Sequence, residues 1–243
     1  YGVIISITYI VYMQRRIMNI LFYRYGSICE PDIIASFKHL GFNITEDTRE
    51  VYNKQLLPSD CIKGLNELLK QDTYSFIFSI NFFPSVSDVC NIWGIPYLCL
   101  IVDSPVLELF STSLANPCNK VFLFDRQLYN DFHHINPDGI FHIPLATNVR
   151  DNYATATMAS AADRARFSSD ISFIGSLYSE KCLYNKITLP EKMRGYVDGL
   201  IEAQLLVYGY NFIEECVTPE LIDSFTKARP ELTNFPSSMK VDT

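Results

Sequence analysis

Short apolar runs alternate with segments whose apolar residues recur at helical spacing, starting at Met18. Asn19 to Tyr23 reads as a strand. Pro31 to Leu40 carries Ile33, Ile34, Phe37 and Leu40 on one helical face, with Gly41 after its end. Phe42 to Thr45 predicts a second strand, and Ser59 a cap for a helix presenting Ile62, Leu65, Leu68 and Leu69. The same order continues: a strand over Tyr74 to Ile80, a short helix over Val86 to Trp93, a strand over Tyr97 to Val102 and another over Val121 to Phe124. Arg126 to Ile135 reads as a helix capped by Asp125, and Ile140 to Ile143 as one more strand. Such βα alternation predicts an α/β fold with a Rossmann-like, mainly parallel sheet covered on both faces.

Arg150 to Ser169 is poor in large apolar residues and rich in Ala, Ser and Thr, which reads as a linker. "DISFIGSLYSEK", Asp170 to Lys181, then opens as a new strand turning through Gly175. Thr188 to Glu191 has the form of a capping box before a long helix with Met193, Val197, Leu200, Ile201, Leu205 and Tyr208 on one face and Gly209 at its end. Thr218-Pro219 starts another helix. The organisation is therefore an apolar extension over 1–17, a Rossmann-like domain over 18–149, a linker over 150–169, and the start of a second domain with helices over 170–243.

Composition narrows the function. Roughly 100–200 residues make a domain, so 243 residues hold one large domain or one and part of another. A net charge of −7 and the lack of a basic run argue against nucleic acid as a partner. The seven cysteines are scattered and never form C-x-x-C, which favours reduced thiols in a cytoplasm over disulfides or zinc. Residues 1–13 are uncharged and mostly apolar, but a bilayer span needs about 20 residues. They read as an extension ahead of a natural start near Met18, with the tail of a membrane anchor as the other reading, so membrane association is not expected.

Several chemistries lack their residues. There is no G-x-G-x-x-G, no G-x-x-x-x-G-K-[ST], no G-x-S-x-G and no D-x-D, and none of His39, His133, His134 and His142 stands at H-E-x-x-H spacing. What remains is a set of polar strand ends, where parallel sheets gather ligands: Tyr25-Gly26-Ser27, Asn81 to Pro84, Asp103-Ser104-Pro105, Asp125-Arg126 and Ala146-Thr147-Asn148. Asp103 has two readings, a carboxylate delivered to the rim of a cleft or a helix cap ahead of Pro105. Asp125 reads as a cap. Phe82 and Phe83 would either stack on a flat ligand or enter the core.

The blocks "MNILFYRYGSICEPDIIASFKHLGF", "SFIFSINFFPSVSDVCNIWGIPYLCLIVDSP", "VFLFDRQLYNDF", "IFHIPLATN" and "DISFIGSLYSEK" together resemble the N-terminal part of CgeB-type (spore-maturation-protein-like) bacterial glycosyltransferases, from Met18 to about Leu189. "LPEKMRGYVDGLIEAQLLVYGYNF" resembles a helical insertion of that group. The resemblance implies a GT-B architecture, acceptor on the first domain and nucleotide-sugar donor on the second, with neither metal nor cofactor. It maps Asp103 to the general base and Tyr25, Ser27, Asn81, Ser104, Arg126 and Asn148 to the acceptor-side cleft. Gly175, Ser176, Tyr178 and Lys181 then fall beside the donor diphosphate. One departure stands out: a donor domain needs several further strands, and a single one is legible after Ser169. The expectation is a catalytically incomplete fragment that does not catalyse transfer by itself. The competing expectation is a non-catalytic α/β module that binds a sugar or a protein partner.

Overall fold

The computed structural model describes residues 18–148 except 55 and 105, residue 154, and residues 157–175 and 182–230. Two compact units divide the chain, Tyr1–Met158 and Ala159–Thr243.

The first unit is an α/β layer structure around six parallel strands: β1 (Asn19–Tyr23), β2 (Asn43–Asp47), β3 (Phe76–Ile80), β4 (Tyr97–Ile101), β5 (Asn119–Leu123) and β6 (Ile140–His142). Their order, β2-β1-β3-β4-β5-β6, is Rossmann-like. In register, Tyr23 stands beside Asp47 and Ser79, and Ile80 beside Leu100. Helices α1 (Glu30–His39), α2 (Arg49–Tyr52), α3 (Pro58–Gln71), α4 (Pro84–Trp93) and α5 (Arg126–Phe132) join the strands, with 3-10 turns between β4 and β5.

The alternation of side chains along the strands creates two cores. On one face Leu21, Ile77, Tyr97, Cys99, Ile101, Val121 and Leu123 pack with Cys61, Leu65 and Leu69 of α3 and Val86, Val89 and Cys90 of α4. A leucine buried as fully as Leu65 contributes about 1.5–3 kcal/mol. On the other face Phe22, Phe78 and Ile80 meet Ile33, Ile34 and Phe37 of α1. The chain leaves β1 outward to β2 and returns across to β3, so direction reverses between β1 and β3. In open parallel sheets the crevice outside such a switch point is where ligands bind.

The structure moves several predicted boundaries. Residues 58–71 form α3, but Leu57 rather than Ser59 precedes it, with no side-chain cap, because Pro58 opens the helix. Phe82 is buried beside Tyr97, and Phe83 packs on Tyr23 and Tyr25. The aromatic pair is therefore core.

In the second unit, α6 (Ala161–Phe167) carries a capping box between Ser160 and Asp163, within the stretch read as a linker. Helix α7 (Glu191–Leu205) has no box at Thr188: Pro190 is its cap residue and makes no side-chain bond. It ends short of Tyr208; Met193, Val197 and Leu200 are half-buried, while Leu205 and Tyr208 are exposed. Helix α8 (Pro219–Ala228) is capped by the Thr218 side chain on the Leu221 amide. The strand expected over Ile171 to Ile174 is not formed. Those residues are irregular and exposed, Ile171 at 93% and Ile174 at 96%. A strand without a ladder partner leaves its backbone groups unpaired, and nothing in this unit supplies one among the described residues.

Candidate functional site at the carboxyl edge of the sheet

Asn81 organises the switch point. It follows β3 directly and has φ 57°, the sole positive value for a non-glycine among the described residues. Asn is one of the few side chains that adopts the left-handed region readily. The turn lays its carboxamide along the strand ends. Oδ1 accepts from the Val102 amide at 3.1 Å, while Nδ2 donates to Asp103 Oδ2 at 2.6 Å and to the Tyr25 hydroxyl at 3.0 Å. The Val102 N–H can only donate, so it fixes which end of the carboxamide faces Asp103.

Below this sits a buried support. The Ser79 hydroxyl donates to the Asn81 carbonyl at 2.7 Å and lies 2.6 Å from the Tyr97 hydroxyl, which accepts from the Phe83 amide at 3.0 Å. Burial pushes the Tyr97 phenol well above its ordinary range, so it stays a neutral hydrogen-bonding group. Burial, with the Asp103 and Glu30 carboxylates nearby, also pushes Tyr25 up.

The structure thus joins Tyr25, Asn81 and Asp103 across the ends of β1, β3 and β4. Asp103 is exposed. The 3-10 turn that follows it, Leu107–Phe110, has Val106 as its cap residue with no side-chain bond, so Asp103 does not cap it. Pro105 lies outside the described residues.

The ends of β1, β2 and β5 are closed by the chain's own acids. Glu30, 0% exposed, accepts the Tyr25, Gly26 and Ser27 amides at 2.9, 2.8 and 3.1 Å and pairs with Arg24 at 2.8 Å. Gly26 has φ +92°, which curls those three amides toward one carboxylate oxygen. Arg24 also reaches Glu46 of β2 at 2.6 Å. At the end of β2, Asp47 accepts the Arg49 amide and pairs with its guanidinium. At the end of β5, Asp125 accepts the Gln127 and Leu128 amides at 2.7 and 3.3 Å and the Ser104 hydroxyl at 3.1 Å.

The Gln127 amide, helped by Ser104 and Leu128, holds the Asp125 carboxyl below its ordinary value. A depressed folded pKa stabilises above the unfolded value and is lost as pH falls through the folded one. Asp125→Ala is therefore expected to lower stability by about 1 kcal/mol at neutral pH, and by less as the pH drops below about 4. Urea titrations of both proteins at several pH values check this.

Arg126 is exposed, with Nη2 3.5 Å from His142 Nδ1. Tyr129 stacks on His133 at 4.7 Å and tilts against His142. Among the described residues no three His, Cys, Asp or Glu are placed to hold a metal ion, and no helix is long and apolar enough to cross a membrane.

A groove of about 890 Å³ runs from this edge along α1. Its floor is Leu100 and Val102, half-buried because no described helix covers that side of β4 as α1 covers β1 and β3. One wall is drawn from α1 and the turn before it, including Ser27, Asp32, Ser36 and His39; the other is Leu145 to Asn148, whose Asn148 Nδ2 donates to Asp32 Oδ1 at 2.9 Å. Asp103 and Ser27 both belong to its lining.

Of the predicted acceptor-side residues, Tyr25, Asn81 and Asp103 form one network, Ser27, Asp103 and Asn148 line the groove, and Ser104 and Arg126 stand beside Asp125 and His142. Gly175 lies in the second unit, in the irregular stretch after Ile171; Ser176, Tyr178 and Lys181 lie outside the described residues. Sequence reading missed Glu30, Asp32 and the Ser79–Tyr97 support. For Glu30 a signal existed: Ser27-Ile28-Cys29-Glu30 has the S-x-x-E spacing in which the acid reaches back to the amide three residues earlier.

No family model, no curated protein and no solved structure matches the chain significantly.

Proposed function

We propose that this chain carries the acceptor side of a metal-independent, GT-B-type glycosyltransferase resembling the CgeB-type group, with Asp103 as general base. The observation that carries the reading is the position of Asp103: an exposed carboxylate beside the topological switch point, oriented by Asn81, in the lining of a groove large enough for a saccharide. In the reaction the acceptor hydroxyl gives its proton to Asp103 as its oxygen bonds to the anomeric carbon of the donor. The bond from that carbon to the diphosphate breaks, and nucleoside diphosphate leaves with the electron pair. The proton on Asp103 then passes to water. Nearby Tyr25 is neutral and positioned to hydrogen-bond the acceptor.

The test is a thermal-shift screen of nucleotide-sugars on the full-length gene product, followed by a transfer assay with any that bind. One donor should raise the melting temperature and be consumed faster when a saccharide acceptor is added. Saccharide binding with no donor effect and no turnover would support a non-catalytic sugar-binding module instead.

A further inference from the structure

We infer that the groove along α1 selects an amine-bearing saccharide and rejects phosphorylated or otherwise anionic ligands. The saccharide class rests on the proposed acceptor role; the charge selectivity rests on the residues of the first unit.

Parallel α/β sheets commonly bind anions on free amides at the turns after their strands. Here three of those turns are filled from within, by Glu30, Asp47 and Asp125. Three cations of the edge are engaged as well. Arg24 is held by Glu30 and Glu46, Arg49 by Asp47, and the Lys54 ammonium by the Tyr25 carbonyl. Arg126 stands on the β5–β6 side, beside His142. A phosphate at the turns after β1 and β2 would therefore meet occupied donors, whereas Arg126 beyond β5 is exposed.

The groove itself carries the opposite sign. Among the described residues its lining contains the acids Asp32 and Asp103, one imidazole, His39, and neither lysine nor arginine. Both carboxylates are exposed, one on α1 and one after β4, so a saccharide with several amines can be met at two points. Between them the aliphatic floor of Leu100 and Val102 faces walls bearing Ser27, Ser36 and Asn148. That combination suits a sugar ring, whose faces are C–H and whose rim is hydroxyl. α1 has 10 residues, which gives it a length of about 15 Å, enough for an oligosaccharide rather than a single small ion.

The experiment is isothermal titration of the full-length protein with one tetrasaccharide of glucosamine in three forms: free amine, N-acetylated and N-sulfated. Across the series the charge at nitrogen runs from positive through neutral to negative. The amine form should bind at least about tenfold more tightly than the N-acetyl form, and the N-sulfated form should not bind. Each carboxylate lost should weaken the amine form about fivefold, so Asp32→Asn, which keeps an acceptor for Asn148, should do so. Glu67→Gln removes an exposed acid on α3, against the opposite face of the sheet, and should change nothing. Equal weakening by Asp32→Asn and Glu67→Gln would mean unselective attraction to an acidic protein and would overturn the inference. So would equal binding of the three forms, binding of the sulfated form, or no binding. Selective amine binding with no transfer to any acceptor would leave the inference standing and remove the glycosyltransferase reading.

Discussion

Asp103→Asn is expected to lower sugar transfer by about 10²–10⁴-fold, the usual share of a positioned general base, while leaving the fold and its melting temperature nearly unchanged. The substitution keeps the shape of the side chain and its exposed position. What it removes is the basic oxygen. It also places an amide next to the Asn81 amide, where Nδ2 of Asn81 still finds a carbonyl oxygen if the new side chain orients correctly. Asn81→Gly gives a second, milder variant. Glycine takes the positive φ of this position without strain, yet loses the hydrogen bonds to Val102, Asp103 and Tyr25. Turnover should fall less than in Asp103→Asn, because the base remains and only its aim is lost. Steady-state kinetics on the three proteins, with circular dichroism melts, separate these outcomes.

Glu30→Ala is expected to destabilise the first unit by about 3–5 kcal/mol, the range for removing one partner of a buried charged pair. The Glu30 carboxylate satisfies three backbone amides and the Arg24 guanidinium while fully buried. Alanine leaves those amides without their acceptor and frees Arg24 to rely on Glu46 alone. Glu30→Gln should cost less, since a carbonyl oxygen can still accept the amides, but its NH2 would face Arg24 donor to donor. Urea unfolding of the three proteins measures the order, wild type above Gln above Ala. A loss within about 0.5 kcal/mol for Glu30→Ala, the size of an ordinary surface change, would show that water replaces the carboxylate at no cost.

The sheet was legible because its central strands are apolar on both faces. "FIFSI" and "YLCLI" carry no charge, as central parallel strands do, and the helices between them repeat their apolar residues at three and four. The polar residues directly after those strands marked the edge, and Asn81 and Asp103 lie there together. Their connection was not legible, because it depends on the left-handed turn of Asn81 and on the register that sets Ile80 beside Leu100. The role of Glu30 was legible only in part. The S-x-x-E spacing accounts for the Ser27 amide alone, and only the curl at Gly26 turns three amides onto the carboxylate. "DISFIG" misled for the complementary reason. Its composition favours a strand, but a strand is a property of a pair, and the described residues supply no neighbour for it.

The pH dependence of kcat/KM in wild type and Asp103→Asn tests the central claim most directly, because a general base must lose its proton before the reaction begins. The account predicts that the wild-type rate falls on the acidic side with the slope of one proton, and that the residual rate of Asp103→Asn is flat over the same range. The same acidic limb in both proteins would contradict it and assign the titrating group to another residue.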